Sequence, residues 1–423
     1  MIRESTDRTG LALWLTGAWT AAGTMLYLLW PALAPILLPL CGVAPLAWDW
    51  HGRRRFRLFH VSAVSFALLV AVGYALLNAQ WSMTRDEALA YAALLLVVVI
   101  CVHGGLGAWA DLRHRPAITA MSIGFYVGFV LAGCLLCFEI LSHHLIFFQL
   151  ATLFPQWSSQ AKEYLAQGGL PSYFLNHRMA ALAMLFWPAL LTALHLNTTG
   201  WHLWLLLIGF LPSLVAVGAS EHATSQMAFV IGACVALAAR WSAPGALRLL
   251  MLAWIVACLA VVPLCLAAYQ ANLHLLRWLP QSAQDRMVIW KATSDLIGNA
   301  PLLGVGIHSG RVITRGESER PLAPGTPFRL SVGWHSHNAF LQTWFEAGAV
   351  GAGLLLCIGL LVLRAIGTHR RRLQPALLAT FASCAAIAAT GFSAFAPWLL
   401  ASYAIVTLFA ALAVAAAAAP AYE

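Results

Sequence analysis

Charge is what this sequence has least of. Asp, Glu, Lys and Arg make up 9% of 423 residues, against about a quarter in a soluble domain. Apolar residues fill 61% of the chain, more than one aqueous core can hide, so lipid must be the solvent for most of it. There is no HExxH, no Walker loop, no GxSxG and no closely spaced acidic pair, so nothing points to zinc-peptidase, P-loop or serine-hydrolase chemistry. Cysteine is present nine times (41, 101, 134, 137, 234, 258, 265, 357 and 384), always inside an apolar run. None has zinc-ligand spacing with a histidine and none lies in an outer loop where a disulfide forms, so the cysteines read as packing residues. Residues 1–7 lack the short apolar core and small-residue cleavage site of a signal peptide, and read as leading into a retained helix.

What is abundant is long apolar sequence. Runs near 11–29, 32–48, 61–79, 89–109, 118–138, 179–196, 203–219, 226–239, 249–269, 347–366, 376–394 and 398–418 predict an all-α polytopic membrane protein with about 12 transmembrane helices. Prolines 31, 35, 39 and 45 predict a bent or tilted second helix. Placing the N-terminus inside puts Arg3, Arg8, Arg53, Arg54, Arg55, Arg57, Arg113, Arg115, Arg240, Arg248, Arg364, Arg370, Arg371 and Arg372 on the inner face. That face then holds 14 basic residues and 5 acids, while the outer face balances 10 against 10. The net charge of +9 is therefore an orientation signal, and nucleic acid is not expected as a partner. The expected organisation is helices 1–9 over residues 1–269, with a smaller outer loop at 139–178. A large outer loop follows at 270–346, then helices 10–12 over 347–423.

Both outer segments are too long to be plain connectors. In the first, residues 140–154 are apolar around His143 and His144 and suit an interfacial helix. In the second, Ser282-x-x-Asp285 resembles a capping box that opens a helix running to about Ile297. Pro301-Leu-Leu-Gly-Val-Gly306 predicts a tight turn, and residues 308–329 read as mobile. Ser336 or Asn338 is placed to cap a new helix that runs on past Gly348 and Gly351 into the tenth span.

The outer face offers arginine (Arg178, Arg286, Arg311, Arg315) and histidine (His335, His337). Guanidinium groups bind phosphate oxygens bidentately without a metal. A near-neutral imidazole takes a proton from a hydroxyl. Those parts suffice to transfer a group from a lipid diphosphate to an alcohol, because a diphosphate whose charge is balanced is already a good leaving group. His337, at the start of a helix, feels the positive end of the dipole, which keeps it neutral. His335 competes for the same role two residues away. Arg286 and Trp290 share a helix face, where the ring can shelter a bound diphosphate; the alternative reading is that each anchors its helix. Arg178 sits at the lip of the sixth span, suited to a lipid diphosphate or to a flanking anchor, and Glu139 is placed to pair with it. His103 and His195 read as hydrogen-bonded structural residues.

His337-Asn338, nine residues, then Gly348-x-x-Gly351 resembles the signature of the O-antigen ligase and polymerase superfamily. Arg286-x-x-x-Trp290 followed by Pro301-Leu-Leu-Gly-Val-Gly306 is similar to its other recurrent block. The resemblance implies a fold similar to the C-type glycosyltransferases and glycan transfer at the periplasmic face of the bacterial inner membrane. The implied donor is an undecaprenyl-diphosphate-linked glycan. In the ligase branch the acceptor is a lipid A–core hydroxyl, with no metal and no cofactor. It further implies His337 as base, Arg286 and Arg178 on the donor diphosphate, and Asn338, Trp290 and His335 in support. Where the family often has Ser-Arg-Gly, this chain has Ser225-Gln226-Met227, so another residue must do that arginine's work. Sister readings are a polymerase and a protein O-oligosaccharyltransferase; a transporter of lipid-linked glycan is the reading from another class. The missing repeat between the two halves and the scarcity of ionisable residues in the spans disfavour the transporter.

Overall fold

The computed structural model describes residues 2–40, 62–110, 115–153, 175–196, 204, 206–317 and 335–418. Among them regular structure is entirely helical. The principal helices are α1 (Ile2–Leu29), α2 (Pro31–Leu40), α3 (Ala63–Asn78), α4 (Arg85–Ala110), α5 (Arg115–Leu141), α6 (Leu145–Leu153) and α7 (Asn176–Leu196). They continue with α8 (Leu211–Ala219), α9 (Ala223–Gln270), α10 (Gln281–Ile297), α11 (Gly310–Glu317), α12 (Ala339–Thr368), α13 (Gln374–Thr390) and α14 (Pro397–Ala418). The protein is an all-α polytopic membrane protein. Twelve separate spans do not emerge: among the described residues seven helices are long and apolar enough to cross a membrane, and four apolar helices are shorter. The runs predicted at 226–239 and 249–269 are the two parts of α9, whose 48 residues are two helices meeting at a kink at Ser242 (φ −145°, ψ 90°). Pro244 explains the break, since its ring cannot accept a regular helical turn behind it. The Ser242 hydroxyl accepts the Gly245 N–H at 3.2 Å and so repairs part of the interrupted ladder.

The chain divides into two compact units, each assembled from non-consecutive segments: Met1–Leu58, Gly104–Cys234 and Ala404–Glu423 form one, Phe59–His103 and Val235–Tyr403 the other. In the first, α1 and α5 pack backbone to backbone. A Cβ at Gly124 would stand 2.1 Å from the Gly17 carbonyl oxygen, and one at Gly128 would stand 2.4 Å from that of Ala21. Close packing of small residues is the usual way helices adhere in lipid, where burial of apolar surface gives no drive. Within residues 140–154, where an interfacial helix was expected, the structure has α6, shorter than predicted. Tyr164, Tyr173 and Phe174 lie outside the described residues.

In the second unit, the later part of α9, with α10 and α12, shares a core of Cys258, Val261, Cys265, Ile297, Phe340, Leu341 and Phe345. Two indoles tie it together: Trp344 donates to the Cys258 carbonyl at 2.7 Å and Trp254 to that of Leu356 at 3.2 Å. Helix α10 ends at Ile297 as predicted but does not begin on a capping box: Pro280 is its N-cap, with no side-chain cap bond. The opening turn is held by Gln284, whose amide donates to the Leu276 and Leu279 carbonyls at 3.2 and 3.0 Å. Part of the stretch expected to be mobile is ordered, with His308 buried and α11 following. His103 bonds Ser65 at 2.9 Å and His195 the Leu191 carbonyl at 2.7 Å, the structural roles expected of both.

Candidate active site

Asn338 is the N-cap of α12. Its side-chain oxygen accepts the Leu341 N–H at 3.0 Å, satisfying one of the donors that every helix start leaves open. The residue before it, His337, is held at φ 53°, a left-handed conformation that costs a non-glycine residue about 1 kcal/mol or more. Such a residue persists only where its surroundings over-determine it. Here the imidazole Nδ1 lies 2.9 Å from the Gly391 carbonyl oxygen. A carbonyl only accepts, so Nδ1 carries the proton and Nε2 of the neutral ring carries the lone pair.

Burial pushes His337 below the ordinary imidazole value; the bond to Gly391 opposes that and the nearby Arg286 guanidinium adds to it. Burial thus favours the neutral ring, and its Nδ1–H faces the C-terminal end of α13. When Nε2 takes up a proton, that carbonyl and the negative end of the α13 dipole stabilise the imidazolium. His335 stacks beside it, with ring centroids 4.0 Å apart and planes tilted by 41°.

Arg286 stands on α10. Burial works against its charge and Asp285 beside it works in favour, and among the described residues no hydrogen bond or ion pair engages its guanidinium. Trp290, one turn further on, donates its indole N–H to the Ser336 carbonyl at 2.9 Å. It therefore ties the arginine's helix to the turn that carries His337.

Beneath this turn the two motif blocks meet. The Val305 and Gly306 N–H groups bond the Phe345 and Glu346 carbonyls, both at 3.0 Å. Ala349 and Val350 bond back to Pro301 and Leu302 at 2.9 and 3.2 Å. Gly348 (φ 63°) and Gly304 (φ 71°) make the close approach possible: a Cβ on either would come within 2.4 Å of the opposing backbone. Asn78, at the end of α3, clamps the turn from outside. It accepts the Ile307 N–H at 2.7 Å and donates to the Leu303 and Glu346 carbonyls at 3.1 and 3.3 Å.

Residues 208–356, which span both blocks, match the family described as O-Antigen ligase. The chain is also 27% identical over 188 residues to the Rickettsia conorii protein named "Putative polysaccharide ligase", an alignment covering 44% of each chain. The chain is thus similar to O-antigen ligases over this stretch, and it spans less than half the length of that relative. The matched stretch holds Arg286, Trp290, His335, His337, Asn338 and the Gly348 turn together in the second unit.

Arg178 belongs to the first unit. It is 6% exposed, donates Nε to the Leu29 carbonyl at 2.7 Å, and sets its guanidinium 4.4 Å from the Phe147 ring centre and 6.0 Å from that of Trp30. Glu139 interacts with it electrostatically but spends its carboxylate on the start of α6, accepting the Ile146 and Phe147 N–H groups at 2.8 and 3.2 Å. Gln226, where superfamily members often have arginine, donates to the Gly218 and Ser220 carbonyls at 3.0 and 2.7 Å and closes the end of α8.

Three residues of the matched stretch that sequence reasoning gave no role are structurally central: Gln342, Glu346 and His308. Glu346, buried to 1% exposure, accepts the His308 N–H at 2.7 Å and the Gln342 amide at 3.2 Å. His308 (φ 64°) has Nδ1 3.8 Å from Glu87, which also pairs with Arg311 at 3.2 Å. The available signal was the placement of Gln342 and Glu346 four apart on an apolar helix, a shared polar face with no solvent reason to exist. Among the described residues no three His, Cys, Asp or Glu side chains are grouped to hold a metal ion.

Proposed function

We propose that this protein is an O-antigen ligase, transferring a glycan from undecaprenyl diphosphate to a lipid A–core hydroxyl at the periplasmic face of the bacterial inner membrane. The observation that carries the reading is His337: its Nδ1–H is committed to Gly391, so its basic atom is Nε2. In the proposed step Nε2 takes the acceptor hydroxyl proton as that oxygen bonds the anomeric carbon of the donor sugar. The bond from that carbon to the diphosphate breaks, and the diphosphate leaves with the electron pair. Arg286 balances the growing charge on the leaving group by a forked contact that requires no metal. Asn338 fixes the turn, Trp290 fixes the helix of Arg286, and His335 packs against the base. Arg178 is the sequence's second choice for the diphosphate; its Nε is already on the Leu29 carbonyl, so the charge balance is assigned first to Arg286.

The test is a reconstituted assay with chelator present, supplying undecaprenyl-diphosphate glycan and lipid A–core to wild type, His337→Ala and His335→Ala. Glycan on lipid A–core, reduced roughly 10²–10⁴-fold in His337→Ala and far less in His335→Ala, is the expected result. Longer lipid-linked glycan with untouched core would make the protein a polymerase. Transfer requiring added metal would overturn the mechanism, and equal movement of donor across the membrane by wild type and His337→Ala, with no product, would make it a transporter.

A further inference from the structure

The bond from His337 to Gly391 raises the question of what holds Gly391. Its carbonyl ends α13, and residues 391–396 are a connection without regular helix before α14. A carbonyl in such a segment aims a catalytic imidazole only if the segment is itself fixed. Three residues on, the Ala394 N–H bonds the side-chain oxygen of Gln342 at 3.3 Å. A backbone N–H only donates, so this contact settles which amide atom of Gln342 points where. Its nitrogen then faces Glu346 at 3.2 Å. Gln342 is 3% exposed, one turn along α12 from the N-cap Asn338, and both ends of its amide are engaged. Glu346 is in turn fixed by the His308 N–H at 2.7 Å. One side of the 391–394 segment thus touches the base and the other touches a buried amide on α12, the helix that the base's turn leads into.

We propose that Gln342 is a positioning residue for His337, acting through the 391–394 segment: it pins Ala394 so that the Gly391 carbonyl keeps the proton on Nδ1 and the lone pair on Nε2. The role rests on the ligase reading only in naming what His337 does; the hydrogen-bond relay is independent of it. Glu346 serves the relay by orienting the Gln342 amide. The segment is also held by the Gly391 N–H on the Ile387 carbonyl at 2.9 Å and by Phe392 against Trp398 at 4.7 Å and Phe395 against Tyr91 at 5.2 Å, while the Gln342 bond joins it to α12. Gln342 serves a function here that a carboxylate serves in other acid–base sites, holding one tautomer of a histidine.

Gln342→Met keeps the length and bulk and removes both hydrogen bonds; Gln342→Glu sets a second carboxyl against Glu346. Among the described residues the titratable and charged groups facing His337 are Arg286 and His335, and neither substitution touches them. In Gln342→Met, kcat for transfer is expected to fall roughly ten- to a hundredfold with KM for the donor unchanged. The acid limb of the kcat profile should move to lower pH, because losing the Gly391 bond removes the contact that favours imidazolium. Solid-state 15N spectra of histidine-labelled protein in liposomes, with His337 assigned by its loss in His337→Ala, should show the Nδ1–H tautomer in wild type and a mixture in Gln342→Met. A variant matching wild type in plateau and limb overturns the proposal, as does a lowered plateau with an unmoved limb and an intact tautomer, the signature of merely misfolded protein. If wild type transfers nothing yet Gln342→Met still loses the tautomer, the ligase reading fails and the positioning role stands.

Discussion

Two arginines with the same sequence credentials have opposite surroundings. Arg178 sits at the beginning of α7, donates Nε to a backbone carbonyl, lies over Phe147, and has Glu139 in its field. Arg286 sits on α10 with Asp285 as its one electrostatic counterpart and no hydrogen bond or ion pair to its guanidinium among the described residues. A half-buried cation with its donors unspent is costly to keep, and a bound anion would offset that cost. A cation whose nearest donor is already used tethers backbone. The difference teaches that a motif's arginine is to be judged by what its N–H groups already hold.

The largest effect follows from removing the unspent cation. Arg286→Ala should lower transfer by roughly 10²–10³-fold while the melting temperature stays at the wild-type value, both read on the same preparation. Arg178→Ala should do the reverse. It strands the Leu29 carbonyl in a buried setting, costing about 1–3 kcal/mol, seen as a lowered melting temperature with activity per folded molecule little changed. A raised donor KM in Arg178→Lys at unchanged melting temperature would collapse the contrast and return Arg178 to the diphosphate.

Histidines sharpen the same contrast. His308, beside Glu87 and Arg311, is pushed down to about 4, by burial first, with Arg311 adding and Glu87 opposing. His144 in the first unit is lowered too, again by burial first. The unfolded chain takes up these protons below about pH 6.5 while the folded one resists. The unfolded state therefore binds more protons in between, so stability is full above that pH and falls as the pH drops toward 4. His308→Asn, which tolerates the left-handed backbone, should flatten the dependence of melting temperature on pH between those limits; an unchanged slope would exclude His308 as its source. The smallest effect belongs to Trp290→Phe. Loss of the Ser336 bond is worth about 1 kcal/mol, expected as a modest rise in donor KM, measured with Arg286 intact.

Much of this was legible in the sequence. Apolar runs gave the helices their places, and Asn338 announced its cap because an amide before an apolar periodic stretch has few other uses. The break in α9 was legible as well, since Arg240, Pro244 and Arg248 interrupt the hydropathy on either side of Ser242; only its brevity, a kink in place of a loop, was not. The Ser282 cap failed because Pro280 already opens the helix and Gln284 reaches back to seal it. What could not be read were partners distant in the chain. Asn78 lies more than two hundred residues before the turn it clamps, and no local pattern marks an asparagine at a helix end as bound to Ile307. Gln342 likewise declares its role only through Ala394.

The clamp on the Pro301–Gly306 turn bears on how relatives of this protein can be recombined. In the sequence, residues 270–346 read as a cassette, a loop expected between two spans. Yet the Leu303 carbonyl takes its hydrogen bonds from Tyr74 and Asn78, and Ser82 donates to Ile307 at 2.7 Å. A chimera that borrows the loop alone would seat it on a foreign α3 and leave those carbonyls in want of donors. The transferable piece is therefore discontinuous: the loop together with the stretch from Tyr74 to Ser82, inherited as a pair or not at all.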